Sequence, residues 1–197
     1  GRLLRDVMEE IGSLGMLRSP KGPPVAWGVG LVGFEERLLA DVDAFMALAE
    51  PVSGEPPFID AIDHLVAWAG DAMVPDPVRA FARTFLLGCV AGEDAARAAV
   101  LSLRRSHPIT HDAERDALAL APHPHIGREL SRMFAEETPE LLRLAVDVLR
   151  RRREVSFEAV APLLSHPHPT VREAAARALA VTSAPAPALR LLMEHAA

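Results

Sequence analysis

Prolines recur at a nearly constant interval in the C-terminal part of the chain. Pro77, Pro108 and Pro139 are 31 residues apart, and Pro169 comes one residue before the next interval would end. A fixed interval of about 20 to 50 residues is typical of repeat proteins, in which each unit buries its apolar face against its neighbours. The spacing therefore predicts a series of similar structural units.

Each spaced proline precedes a stretch with helical periodicity. Proline is tolerated in a first helical turn because its missing N–H would have no partner there. Asp76 and Thr138 stand directly before two of the prolines and are predicted N-caps, while Thr170 with Glu173 predicts a capping box in the last unit. Apolar residues then recur at i, i+3, i+4, i+7 and i+8, at Leu141, Leu144, Ala145, Val148 and Leu149 and at Val171, Ala174, Ala175, Ala178 and Leu179.

Further helices are predicted between the proline-led ones. They cover approximately residues 60–73, 92–105, 124–137, 156–165 and 187–196. No bounded segment alternates apolar and polar residues as a strand does. The sequence therefore predicts an all-α fold, an α-solenoid of antiparallel helix pairs with a period of about 31 residues.

Two of the proline-led stretches resemble the second helix of HEAT repeats. They are DPVRAFARTFL from Asp76 and HPTVREAAARAL from His168, and HEAT helices commonly open with Asp-Pro, a spacer and Val-Arg. The short period is similar to that of the compact HEAT-like units of bilin lyases and related bacterial proteins. Residues 34–121, taken with the C-terminal units, also resemble an uncharacterised proteobacterial HEAT-repeat family, some members of which are encoded near type VI secretion genes. The resemblance implies a HEAT-like stack over residues 58–197.

Residues 1–57 lack the repeat pattern. They predict helices at about 2–11 and 34–49, separated by a Gly- and Pro-rich loop over 12–33, and together these helices are expected to cap the stack. Gly28, Gly30 and Gly33 spell GxGxxG before the second helix. Because no strand precedes them, the motif does not predict a dinucleotide site.

Charge is distributed unevenly along the chain. Residues 1–76 hold 5 basic and 13 acidic residues, whereas residues 77–197 hold 16 and 14. Duplex binding requires a coherent basic stripe, and only two short basic runs occur, at residues 104–105 and 150–153. Both runs close predicted helices, where cations are favoured, so they are predicted to be solvated helix ends. The charge pattern thus argues against a nucleic acid partner.

Neither a membrane segment nor a secretory leader is predicted from the sequence. No uninterrupted apolar run approaches the length needed to span a bilayer, and the first residues lack a secretory pattern. We therefore expect a cytoplasmic protein without membrane insertion.

The sequence offers few groups for catalysis or metal binding. Cys89 falls in the middle of a predicted apolar helix, so it is predicted to be a small core residue. Five histidines lie in the predicted turns, and those of different units could converge on a metal, but no Cys or Glu stands at ligand spacing from them. These histidines are His107, His123, His125, His166 and His168. No framed nucleophile is present either. We predict no cofactor, no metal and no enzymatic activity.

The repeat architecture favours a non-catalytic scaffold that binds a protein or peptide on a concave helical face. If the second helices line that face, the predicted partner-binding residues are Arg79, Arg83, Arg115, Arg143, Arg172 and Arg177. The competing hypothesis is that several of these arginines pair with acids of neighbouring helices. Two other functions stay open: a bilin-lyase-like protein that handles a small ligand or prosthetic group, and a HEAT-like DNA glycosylase that uses Trp68.

Overall fold

The computed structural model describes residues 2–17, 30–49, 58–135, 138–182 and 185–196. Eleven α-helices and three 3₁₀ turns account for the regular structure of these residues, none of which forms a strand, so the all-α prediction is confirmed. The helices are α1 (Arg2–Leu17), α2 (Gly30–Ala49), α3 (Phe58–Gly70), α4 (Pro77–Leu87), α5 (Glu93–Arg105), α6 (His111–Leu120), α7 (Ile126–Arg132), α8 (Pro139–Arg152), α9 (Phe157–Val160), α10 (Pro169–Leu179) and α11 (Pro185–Ala196). The 3₁₀ turns are Pro108–Thr110, Met133–Ala135 and Ala161–Ser165.

Three of the four spaced prolines open an α-helix. Pro77, Pro139 and Pro169 each stand in a first turn, where a main-chain N–H is dispensable. Asp76 caps α4 as predicted, since its Oδ1 accepts a hydrogen bond from the main-chain N–H of Val78 at 2.9 Å. These helix starts are therefore specified locally.

The second spaced proline opens a 3₁₀ turn, and α6 begins only at His111. The His107 Nδ1 accepts the main-chain N–H of Ile109 at 3.3 Å, and the Thr110 hydroxyl donates to the His107 carbonyl at 2.8 Å. Both bonds tighten this turn before α6 starts.

The cap predicted at Thr170 is wrong. His168 is the N-cap residue of α10, and Thr170 already lies in the first turn. The Thr170 hydroxyl lies 2.8 Å from His168 Nδ1 and so meets a side chain rather than a main-chain amide. Thr138 occupies the N-cap position of α8, but its hydroxyl makes no capping hydrogen bond.

The first helix is longer than predicted because its glycines pack closely against α4. A Cβ at Gly12 would lie 2.5 Å from the Val78 carbonyl oxygen, and one at Gly15 would lie 1.9 Å from a ring carbon of Phe81. Glycine normally weakens a helix. Here close contact with α4 compensates, so α1 continues to Leu17 instead of giving way to a loop at residue 12.

Other helix boundaries also differ from the predictions. Helix α2 begins at Gly30 rather than at residue 34, so Gly30 and Gly33 belong to a helix, while Gly28 lies outside the described residues. The helix predicted over 156–165 divides into α9 and a 3₁₀ turn that contains Pro162, which has no N–H for a helical hydrogen bond.

Five helices pack side by side in the order α1, α4, α6, α8, α10, which we call the central row. The remaining helices lie against this row: α3 and α5 contact α4, α7 contacts α5 and α8, and α9 and α11 contact α10. Leu144, Ala145 and Val148 are fully buried where α8 meets its neighbours. Within the described residues, no helix combines the length and apolar character that a bilayer crossing requires.

Candidate functional site: the charged face of the central row

All six predicted arginines lie on central-row helices. Arg79 and Arg83 are on α4, Arg115 is on α6, Arg143 is on α8, and Arg172 and Arg177 are on α10. Their surroundings differ strongly. We use the term charged face for these six residues and the acidic side chains that they contact.

Arg79 joins α4 to α3. Its Nη1 donates to the carbonyl oxygen of Trp68 at 2.8 Å, and its guanidinium lies 5.2 Å from the centre of the Trp68 ring. Its Nε also lies 3.5 Å from Asp76. Trp68 itself is buried, so the ring that a glycosylase would place against a base is covered in this structure.

Arg83 reaches from α4 to a buried carboxylate on α6. Its Nη2 donates to Glu114 Oε1 at 2.7 Å, and Glu114 is 0% exposed. Burial raises the pKa of Glu114 to about 7, against the lowering effects of the Ser106 hydroxyl and of Arg83. Glu114 therefore changes protonation near neutral pH while remaining between two central-row helices.

A shallow cleft lies beside this ion pair. Arg83, Ser106, His107 and Thr110 line a volume of about 250 Å³ together with the exposed residue Met73. Three of these wall residues, Arg83, Ser106 and Thr110, also hydrogen-bond to Glu114. Glu114 is not among the predicted site residues, although its 31-residue separation from Arg83, equal to the proline interval, was a usable signal.

Arg115 is buried in a network that links α6 and α8. Its Nη2 lies 2.6 Å from Asp116 and its Nη1 2.7 Å from Asp112, while its Nε lies 3.6 Å from Asp147 of α8. Arg151 also bridges the helices, contacting both Asp116 and Asp147 at 3.0 Å. This part of the charged face forms the ladder of inter-helix pairs that the competing hypothesis describes.

The same network stabilises the ionised form of Asp147. Burial raises the pKa of its carboxyl, but the hydrogen bond and charge of Arg150 and the charges of Arg151 and Arg115 outweigh burial. The pKa of Asp147 therefore lies below its ordinary value. The pKa values of Asp147 and Glu114 are thus shifted in opposite directions, although both carboxyl groups lie between central-row helices.

On α8 and α10, the predicted arginines make hydrogen bonds and ion pairs with groups that are near them in the sequence. Arg143 lies 3.6 Å from Glu140, and Arg177 lies 2.9 Å from Glu173, a pair whose side chains are 61% and 65% exposed. Arg172 donates to the carbonyl oxygens of residues 166 and 167. These three guanidiniums keep donors that face solvent.

The basic run at residues 150–153 is predicted to be a solvated helix end, but one of its arginines instead packs against α6. The side chain of Arg152 is mostly buried and donates to the carbonyl oxygens of Leu118, Ala121 and His123, at and just beyond the C-terminal end of α6. Arg153 ends α8 in the left-handed conformation, with φ of 58°. Packing of α8 against the end of α6 explains the difference, because it offers unpaired carbonyl groups to Arg152.

The histidine-rich turns stabilise their own backbones. Nδ1 of His123 accepts the main-chain N–H of His125 at 3.1 Å, and Nδ1 of His166 accepts that of His168 at the same distance. Across the described ranges, no three His, Cys, Asp or Glu side chains are grouped so that they could hold a metal ion.

Cys89 does not lie inside a helix, contrary to the prediction, because α4 ends at Leu87 and Gly88 caps it. Cys89 is partly buried, and burial raises the pKa of its thiol to about 12. The thiol is therefore protonated at neutral pH and is a poor nucleophile.

Comparison of the chain with models of protein families, with curated proteins and with solved structures found no match.

Proposed function

We propose that this chain is a non-catalytic scaffold, a short HEAT-like stack that binds a protein or peptide through the charged face. In this proposal α4, α6, α8 and α10 are the inner helices, and α3, α5, α7, α9 and α11 are the outer ones. Residues 1–57 cap the stack at the N-terminal side. The side-by-side packing of the central row supports this arrangement.

The observation that carries the proposal is that Arg172 and Arg177 are exposed and Arg143 is partly exposed, on neighbouring inner helices. Exposed ion pairs contribute little to stability, so their guanidiniums exchange internal partners for external ones at low cost. Arginine binds carboxylates in a bidentate geometry. A partner that carries acidic side chains at matching spacing would meet several arginines at once.

The cleft beside Glu114 does not favour the ligand-handling alternative. At about 250 Å³ it is smaller than the roughly 300 to 1,000 Å³ typical of ligand pockets, and five of its eleven wall residues are charged or polar. A prosthetic group of the size handled by bilin lyases would need a deeper apolar enclosure. The scaffold therefore remains the function that we propose.

The test is affinity capture from native lysate with the double charge reversal Arg143→Glu and Arg172→Glu. A matched control reverses Arg5 and Arg190, which are exposed on α1 and α11. Both variants change the net charge equally. We expect the amount of a captured protein to fall at least about tenfold with the first variant and to stay unchanged with the control.

Nuclease treatment and elution colour discriminate the alternatives. Capture that is indifferent to nuclease fits the proposal, whereas loss on nuclease treatment would indicate nucleic acid. An empty capture beside a coloured eluate would favour the ligand-handling protein. Equal capture by both charge-reversed variants would exclude the charged face as the binding surface.

A further inference from the structure

The shallow cleft beside Glu114 combines a partly exposed guanidinium with an apolar wall. Arg83 lines the cleft, and its side chain is 23% exposed. Six of the eleven wall residues are apolar, among them Val74, which is 70% exposed, and Met73, which is fully exposed. The volume of about 250 Å³ equals roughly eight times the share of one water molecule in the liquid, so it accommodates a short-chain acid.

Arg83 keeps hydrogen-bonding capacity after it binds Glu114. Its Nη2 donates to Glu114 Oε1 at 2.7 Å, which uses one of the five N–H donors of a guanidinium. Its Nε is buried and has no hydrogen-bond partner among the residues that the structure describes. A buried donor without an acceptor is costly. A ligand carboxylate that accepts from Nε together with a second guanidinium nitrogen would satisfy it.

The carboxylate of Asp76 also lines the cleft, but it is already engaged at the start of α4. Its Oδ1 accepts hydrogen bonds from the main-chain N–H groups of Val78 and Arg79. Its Oδ2 lies 3.5 Å from Arg79 Nε. A cationic ligand would therefore compete with Arg79 for Asp76 and would be repelled by Arg83. The charges at the cleft favour an anion.

The wall also limits the charge of that anion. Arg83 is the arginine among the eleven residues that line the cleft. A monocarboxylate matches one guanidinium in charge and in its two-oxygen geometry, whereas a phosphate dianion would keep an uncompensated charge. A short hydrocarbon chain on the same molecule would cover Met73 and Val74 and remove their apolar surface from water.

The protonation of Glu114 decides how much of the Arg83 charge is available to such a ligand. An ionised Glu114 compensates the guanidinium and repels a second carboxylate, whereas a protonated Glu114 does neither. Burial raises the pKa of this carboxyl to about 7. Among the side chains that act on it, Ser106 and Thr110 are neutral and Arg83 is charged.

Other titratable groups on the elements packed against α6 are engaged elsewhere or exposed. From α8, Glu140 lies 3.9 Å from His111, and Asp147 lies 3.6 Å from Arg115. The exposed groups, at the end of α5 and in the 3₁₀ turn before α6, are Arg104, Arg105 and His107. The last of these lines the cleft and needs a control of its own.

We propose that the shallow cleft binds a small apolar monocarboxylate, whose carboxylate accepts hydrogen bonds from Arg83 while Glu114 is protonated. The hydrocarbon part of the ligand packs on Met73 and Val74. Ligand binding and proton uptake by Glu114 are then coupled, so each favours the other. The proposal does not depend on the function proposed above, because the arginines that carry that function are on α8 and α10.

Titration of the ¹⁵N-labelled protein with sodium hexanoate, followed by NMR, tests the proposal. The comparison ligands are hexanamide, which is its neutral counterpart, and sulfate, which is an anion without an apolar part. At about pH 6 we expect hexanoate to bind with a Kd below about 1 mM and to shift the amide signals of residues 72–74 and 106–110. Hexanamide and sulfate should bind at least about fivefold more weakly.

The affinity for hexanoate should depend on pH through Glu114. With a pKa of about 7, this carboxyl is mostly protonated at about pH 6 and mostly ionised at about pH 8, so binding should weaken about tenfold between these values. Hexanoate itself stays ionised there, since ordinary carboxyl groups titrate near about pH 4. Glu114→Gln, which resembles the protonated form, should bind at both pH values as wild type does at about pH 6. His107→Asn, which keeps an acceptor for the Ile109 N–H, should retain the pH dependence.

The variant that locates the site is Arg83→Gln with Glu114→Gln. It removes the guanidinium without leaving a buried carboxylate unpaired, and so avoids the destabilisation expected from changing Arg83 alone. We expect it to weaken hexanoate binding at least about tenfold relative to Glu114→Gln. The matched control is Arg177→Gln with Glu173→Gln, an exposed pair on α10, which should leave the affinity unchanged. The amide spectrum of each variant shows whether it is folded.

Several results would overturn the proposal. These are the absence of binding up to about 20 mM hexanoate, or an affinity for hexanamide or sulfate that equals the affinity for hexanoate. A pH dependence that persists in Glu114→Gln, or that disappears in His107→Asn alone, would assign the proton to another group. Equal affinities of Glu114→Gln and the folded Arg83→Gln, Glu114→Gln variant would place the binding elsewhere.

Discussion

The middle and the C-terminal end of the charged face use the same residue type in different ways. Between α4 and α8, arginines reach carboxylates on neighbouring helices, as in the pairs Arg83–Glu114 and Arg151–Asp116. On α10, Arg177 pairs with Glu173 one turn away on its own helix. The comparison indicates that burial against neighbours, rather than residue type, separates structural arginines from accessible ones.

The free-energy cost of breaking an ion pair also differs between the buried middle and the exposed end of the charged face. A buried ion pair is costly to break from one side because an uncompensated charge remains in a low-dielectric environment. An exposed pair gains little from its Coulomb energy, because water and salt screen it. Substitutions in the middle and at the end of the charged face measure this contrast, from the largest expected effect to the smallest.

Arg83→Met should give the largest effect. It leaves Glu114 buried without its cation, so we expect a loss of roughly 3 to 5 kcal/mol in the free energy of unfolding at about pH 8. The matched substitution Arg177→Met should change it by less than about 0.5 kcal/mol. Urea unfolding followed by circular dichroism measures both values. Similar losses in the two variants would remove the distinction between middle and end.

Glu114→Gln should change how stability depends on pH. Because the pKa of Glu114 is raised to about 7 in the folded state, the native protein holds this proton more tightly than the unfolded chain. Its stability contribution is complete below the unfolded pKa and is lost as the pH rises through about 7. Between about pH 5 and pH 8, the free energy of unfolding of the wild type should fall by roughly 2 to 3 kcal/mol relative to that of Glu114→Gln.

Asp147→Asn is the control of opposite sign for that measurement. The pKa of Asp147 is lowered, so its contribution is present above the unfolded pKa and is lost only as the pH falls through the lower folded pKa. The difference between wild type and Asp147→Asn should therefore stay constant from about pH 5 to 8 and shrink below about pH 4. If the difference in the free energy of unfolding between wild type and Glu114→Gln did not change with pH, the Glu114 carboxyl would titrate normally.

Glu173→Gln should give the smallest effect. This variant removes the exposed i,i+4 pair with Arg177, for which we expect a loss of about 0.3 to 0.5 kcal/mol at low salt. The loss should vanish at about 1 M salt, where exposed charges are screened within a few ångströms. Urea unfolding at the two salt concentrations checks it. A loss above about 1 kcal/mol that persists in salt would show that α10 resembles the middle of the face.

Sequence predicted those elements whose causes are local. Pro77 with its capping residue Asp76 specifies the start of α4, and the structure has that start. The extent of α1 was not predictable in this way, since Gly12 and Gly15 break helices in isolation and are accommodated only by contact with α4. Its length is therefore a tertiary property.

The candidate site divides along the same line. The six arginines could be placed on the proline-led helices from periodicity alone, but their burial depends on which carboxylates the neighbouring helices present. For Arg83 the repeat interval contained that information, because Glu114 stands one interval later. For Arg152 it did not, since its partners are main-chain carbonyl groups whose direction depends on how α6 ends.

The contact between Gly15 and Phe81 has a consequence for synthesis on the ribosome. Helix α1 is made before α4, whose residues Val78 and Phe81 pack against its glycines, and its apolar residues Met8 and Ile11 are fully buried in the folded chain. Among the described helices, α2 also contacts α1 and is made before α4. Until α4 is made, the apolar stripe of α1 lacks part of its cover. Such surface on a growing chain is prone to aggregation and is the kind that chaperones bind. Helix α1 thus depends on protection until residue 87, the end of α4, is made.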